Sequence, residues 1–107
     1  MVALRLKQSS FVATVQDRLG RTIVLEQERW EHCCEHEQLD GRELAVMRVA
    51  ENPKVTRDGN RADRKILYAP IGPARWLAVV VEYHGLAGLA GRVITAYPYS
   101  KEPRAAT

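Results

Sequence analysis

Apolar and polar residues alternate with a period of two toward both ends of the chain and with a period near 3.6 in its middle. Residues 2–7 and 11–15 alternate as strands, and Asp17-Arg18-Leu19-Gly20 is turn chemistry leading into a short apolar run over 22–25. The period then changes. Residues 26–37 contain neither Gly nor Pro, and Trp30, Cys33, Cys34 and Glu37 fall at i, i+3, i+4 and i+7, which predicts a helix. Asp40 followed by Glu43 has the spacing of a capping box, so a second helix is predicted from residue 41 to about 51. Leu44, Val46, Met47, Val49 and Ala50 give it a broad buried face, and Asn52-Pro53 stops it because proline disfavours a helical residue before it.

Everything beyond Pro53 reads as β. Arg57-Asp58-Gly59-Asn60 is a turn, 65–69 a strand, Ile71-Gly72-Pro73 a turn, 75–83 a strong strand, 84–91 a glycine-rich connection and 92–99 a last strand. On that last strand simple alternation puts Val93, Thr95 and Tyr97 on one face and Ile94 and Ala96 on the other. Val79-Val80-Val81 is continuous rather than alternating, the pattern of a central strand covered on both faces. The expected fold is α+β, with two helices packed on a mainly antiparallel sheet of about four strands. Residues 1–100 form one domain in this reading and 101–107 a flexible C-terminal tail.

Composition narrows the class. With 107 residues, 46% of them hydrophobic, the chain holds one core and can fold without disulfide staples. Cys33 and Cys34 are adjacent, where a bridge would need a strained local ring, so a reducing compartment is expected. The first seven residues mix apolar and basic side chains unlike a signal peptide, and the longest strongly apolar run, 76–81, is too short to cross a bilayer. A soluble cytoplasmic domain with no membrane partner is the expectation. The net charge of +3 hides an uneven distribution. Residues 1–25 carry +3, residues 26–52 carry −5 and residues 53–107 carry +5, an acidic centre between basic flanks. That pattern fits either a solvated helix bearing i,i+4 charge pairs or a phosphate-binding surface.

Reactive side chains are densest from Trp30 to Glu37, which hold two of the three histidines and both cysteines. At about 100° per residue, His32 and His36 share a helical face roughly opposite Trp30, Cys33 and Cys34. His32-Cys33-Cys34-Glu35-His36 matches the H-x-x-E-H string of inverted zincins, but a catalytic zinc would need a third ligand such as Glu51 or His84. The cysteines read as small buried hydrophobes, and no metal or other cofactor is assigned. No nucleophile elbow and no phosphate-binding glycine loop is present. In the β half, Arg57, Arg61, Arg64 and Lys65 precede Tyr68, and Arg92 leads to Thr95-Ala96-Tyr97.

The order of these residues resembles a known group. Trp30-x-His32, His36-Glu37, Glu51-Asn52-Pro53-x-Val55, Leu67-Tyr68, Leu77-x-Val79-Val80-Val81 and Val93-Ile94-Thr95-Ala96-Tyr97 are similar to a phage-associated family of barnase/EndoU/colicin/RelE-like nucleases, over roughly residues 23–99. The resemblance implies a small metal-independent ribonuclease, a toxin or phage effector, with RNA as substrate and a neutralising protein as partner. Cleavage by 2′-hydroxyl attack needs a base, an acid and fixed positive charge on the phosphorane. On the resemblance, His32 and His36 take the acid/base work or a phosphate contact, with Glu35 or Glu37 able to replace a histidine as base. Thr95 and Tyr97 orient the phosphate or stack a base. Arg64 and Lys65, with Arg61 and Arg92, hold phosphate. His84 matches no element of the pattern and reads as a loop histidine. A non-catalytic relative binding nucleic acid or protein on the same surface is the alternative.

Overall fold

The computed structural model describes residues 11–33, 42–84 and 90–103. Its first element is a hairpin of β1 (Phe11–Gln16) and β2 (Thr22–Glu26), closed by the Asp17 turn. The Asp17 carboxylate accepts the backbone N–H of Leu19 and of Arg21, each at 2.9 Å, and Gly20 takes the left-handed conformation at φ +78° that lets the chain reverse. β2 runs directly into helix α1 (Gln27–Cys33), which is followed by helix α2 (Glu43–Glu51). Four strands complete the sheet: β3 (Val55–Asp58), β4 (Arg64–Gly72), β5 (Arg75–His84) and β6 (Ala90–Tyr99).

The sheet is six-stranded and mixed, in the order β1-β2-β6-β5-β4-β3. This corrects the expected sheet of about four strands. Two pairings account for the difference. Residues 55–58 join β4 as an antiparallel edge strand although Arg57 and Asp58 are turn formers, and the turn falls after them. The β1–β2 hairpin docks through β2 parallel to β6, Thr22 to Val24 lying beside Ala90 to Arg92, while the remaining pairs are antiparallel. Among the described residues two helices are present, and both are short.

One face of the sheet carries the core. Ile23 and Leu25, Leu67, Leu77, Val79, Val81, Val93 and Ala96 form one buried cluster with Trp30 of α1 and Val46, Met47, Val49 and Ala50 of α2. Both helices therefore cover the same face. α2 begins at Glu43 with Arg42 at its N-cap and no side-chain capping bond, so the box predicted from Asp40 does not start it; Asp40 itself lies outside the described residues. Leu44, assigned to the buried face from the sequence, is 72% exposed. α2 ends where the Asn52 N–H meets the Arg48 carbonyl at 3.0 Å, just before Pro53. Of the segment read as a tail, Pro103 is buried.

The pairing between β5 and β6 breaks step between Val80 and Val81: Val80 faces Thr95, but Val81 faces Val93. Ile94 is the extra residue of a bulge, and it undoes the simple alternation expected there. Val93 joins the core and Thr95 goes to the opposite face.

Candidate functional site

Because successive strand residues point to opposite faces, the registers place every residue of the helix-free face in cross-strand rows. One row reads Arg64, Glu82, Arg92, Val24. The next along the strands reads Arg57, Ile66, Val80, Thr95, and the one beyond it Val55, Tyr68, Ala78, Tyr97. Pro70, Trp76 and Tyr99 make a fourth. His84 follows Glu82 on the same face of β5, so charge and imidazole are grouped at one end of this face and aromatic rings at the other. The Glu82 and Ala78 rows stand four residues apart along β5, roughly 13 Å at the rise of a strand.

The charged end is a built ion network. Glu82, whose side chain is 15% exposed, sits between two guanidiniums, with Arg64 Nε at 3.3 Å from one carboxylate oxygen and Arg92 Nε at 3.4 Å from the other. Arg92 also reaches Glu26 through a terminal nitrogen at 3.6 Å. Burial alone would raise the Glu82 carboxyl, but the hydrogen bond and charge of Arg64 and the charge of Arg92 outweigh it and hold the group below the ordinary glutamate range. Arg92 Nε is buried with no hydrogen bond of good geometry, since its approach to Glu82 is close in distance only. Val24, Glu26, Glu82, His84 and Arg92 line one shallow concavity of about 400 Å³.

At the aromatic end, the Tyr68 and Tyr99 rings are tilted against each other with centroids 5.3 Å apart. Burial pushes the Tyr97 hydroxyl upward, and the neighbouring phenols of Tyr68 and Tyr99 add to this while the Arg57 charge opposes it. Tyr97 thus stays a protonated donor across the neutral range. Tyr68 is fully packed, whereas Trp76, Tyr97 and Tyr99 keep part of their surface in solvent.

The residues assigned from the sequence are divided by this geometry. Thr95, Tyr97, Arg64 and Arg92 share the helix-free face. Lys65, next to Arg64 in sequence, pairs with Val81 and points to the helix side, where Nζ meets Asp58 Oδ1 at 2.5 Å. Arg61 is exposed in the turn between β3 and β4. His32 belongs to α1, and α1 packs through Trp30 on the face opposite Thr95 and Tyr97. His36, Glu35 and Glu37 lie outside the described residues, as does most of the H-x-x-E-H string. Among the described residues no group of three or more His, Cys, Asp or Glu side chains is placed to hold a metal ion.

Sequence reasoning passed over Glu82, and it weighed His84 only as a third zinc ligand before reading it as a loop histidine. The signal was nonetheless present as Glu82-x-His84 at strand spacing, ending a strand whose alternate residues are apolar. Comparison with protein-family models, with curated proteins and with solved structures gives no match for this chain.

Proposed function

We propose that this protein is a small metal-independent ribonuclease whose chemistry is carried by Glu82, His84, Arg64 and Arg92 on the helix-free face of the sheet. The observation that supports it is a carboxylate clamped between two guanidiniums, with an imidazole on the same face of the same strand. Glu82, held ionised, accepts the proton of the RNA 2′-hydroxyl. The 2′-oxygen then bonds to phosphorus, the bond from phosphorus to the 5′-oxygen breaks, and His84 gives that oxygen its proton. A carboxylate with a depressed pKa is a weak base. The same two arginines that depress it offset this by stabilising the phosphorane, whose charge exceeds that of the ground state. Thr95, in the next row, orients the chain beside this centre, and farther along the face Trp76, Tyr97 and Tyr99 offer ring surface on which splayed bases stack.

The resemblance to barnase/EndoU/colicin/RelE-like nucleases agrees with this activity and carries His32 and His36 as acid and base, whereas this reading gives that work to Glu82 and His84 beside Arg64 and Arg92. On this reading the enzyme works in the cytoplasm, and a toxin or phage-effector role requires a neutralising protein partner.

Incubation of the protein with unstructured RNA, with and without EDTA, tests the reading. Cleavage resistant to EDTA is expected, falling about 10²- to 10⁴-fold in both Glu82→Gln and His84→Ala and retained in His32→Ala and His36→Ala. Loss in the two helix variants with His84→Ala active would move the chemistry to the helix. Salt-sensitive RNA binding without cleavage, weakened by Tyr97→Ala, would make the domain a non-catalytic binder on the same face.

A further inference from the structure

On the helix-covered side, a cleft of about 320 Å³ opens where the β1–β2 turn meets the end of α2 and the first residues of β3. Arg18, Arg21, Lys54 and Lys65 line it together with Thr56 and Tyr83. Four cations around one concavity call for compensation, and they find it unequally.

Arg21 is neutralised, its Nε 2.7 Å from Asp17 Oδ2 and its guanidinium 4.0 Å over the Tyr83 ring. Lys65 has Asp58. Arg18 is fixed but, among the described residues, not neutralised: its Nε donates to Asn52 Oδ1 at 2.7 Å and a terminal nitrogen donates to the Pro53 carbonyl at 2.6 Å, both uncharged acceptors. Those two bonds pre-orient the guanidinium and leave its remaining N–H groups for a ligand. Among the described residues Lys54 has no ion pair, and its backbone is pinned by an N–H to the Tyr68 carbonyl at 2.8 Å. Asp17 is the acid lining the cleft, and its carboxylate is engaged by the Arg21 side chain and the Leu19 and Arg21 amides.

We propose that this cleft binds the phosphate group of a small phosphorylated ligand, with Arg18 and Lys54 neutralising the dianion and the Thr56 hydroxyl donating to it. Two uncompensated cations match the charge of a phosphate monoester, and a fixed guanidinium suits its oxygens. The volume is at the lower end of small-molecule sites, enough for a phosphate with one attached sugar-sized group. The site lies across the sheet from the Glu82 centre and does not depend on that centre being catalytic.

NMR titration of the full chain with inorganic phosphate, with a nucleoside 5′-monophosphate and with sodium chloride at matched ionic strength tests the proposal. Saturable shifts at the Arg18, Lys54 and Thr56 amides are expected with the first two and not with chloride. Stronger binding of the monophosphate than of phosphate identifies an organic phosphate as the ligand, and equal binding identifies the free ion. Lys54→Gln, a solvent-facing change that should leave the fold intact, is expected to weaken binding about tenfold, as is Arg18→Gln, while His84→Ala leaves it unchanged. Shifts that never saturate, that chloride reproduces or that persist at wild-type affinity in Lys54→Gln would overturn the site. Loss of RNA cleavage in His84→Ala with phosphate binding intact separates this result from the fate of the ribonuclease reading.

Discussion

The two faces of one sheet in this protein are put to different uses, and β5 displays both. Leu77, Val79 and Val81 point under the helices and are fully buried; of the alternate residues that point away, Trp76, Val80 and Glu82 stay half-buried and Ala78 alone is fully buried. The side-chain period of two sends neighbours in sequence to opposite faces, one packed under the helices and one left open. The largest effect that tests this division is on the helix side. Leu77→Ala should cost about 2–5 kcal/mol through lost burial and the cavity left behind. Val80→Ala, read by the same urea unfolding, should cost less than half of that. Equal losses would show that the helix-free face is packed as tightly as the other.

Overpacking offers a second, somewhat smaller test. Gly91 is buried where β6 passes Tyr83, and a Cβ there would meet Val81 Cγ1 at 2.9 Å and Tyr83 Cδ1 at 3.0 Å. Both neighbours belong to the core or pack on it. Gly91→Ala should therefore destabilise by about 1–3 kcal/mol. It should also disturb the Arg21–Tyr83 stack, visible as a change in the Tyr83 ring resonances, while Thr95 and Tyr97 keep their shifts.

How much of this division was legible in the sequence depended on whether a local pattern or a distant partner decided the outcome. Val46, Met47, Val49 and Ala50 marked the buried side of α2, and strands expected at 65–69, 75–83 and 92–99 from alternation and β-branched content are present but longer, at 64–72, 75–84 and 90–99, taking in Ile71 and Gly72 that read as a turn. β3 was hidden because Arg57 and Asp58 prefer turns, and only its pairing with β4 overrides them. The parallel contact of β2 with β6 was hidden for a different reason: both helices and three strands intervene, and nothing local encodes so distant a neighbour. Arg64 and Lys65 looked like one cluster, yet strand geometry alone was enough to send them to opposite faces. The bulge at Ile94 was not readable, so Val93 was grouped with Thr95 when it belongs to the core. His84 was set aside as a loop residue because Gly85 follows it, although β5 extends to include it.

Acid titration probes the helix-free face by its charges. Arg64 and Arg92 hold the Glu82 carboxyl below its ordinary value despite its desolvation. A group depressed in the folded state stabilises the protein above its unfolded pKa, near 4.3 for glutamate, and that contribution is lost as the pH falls through the folded value. Glu82→Gln should cost about 1–2 kcal/mol near neutrality by removing the charge-assisted bond from Arg64 and the negative charge facing Arg92. The variant and the native protein should converge only as the pH drops below the depressed folded value of Glu82, where the native carboxyl is also neutral. Coincident stability curves across the whole range would mean that the Glu82 charge contributes no net stability to the Arg64–Glu82–Arg92 row.

The smallest effect concerns the outer side of the helix layer. Leu44 follows the helical period of α2 closely enough to look buried, yet it is 72% exposed, while Val46, Met47, Val49 and Ala50 make the contacts with the sheet. The buried stripe is therefore narrower than the apolar content of the helix implies. A leucine left in water contributes little beyond helix propensity, and glutamine has nearly the same propensity. Leu44→Gln should change the unfolding free energy by less than about 0.5 kcal/mol, as surface substitutions usually do. A loss approaching that of Leu77→Ala would instead mean that Leu44 is packed rather than solvated, and that the buried stripe of α2 is as broad as its apolar content implies.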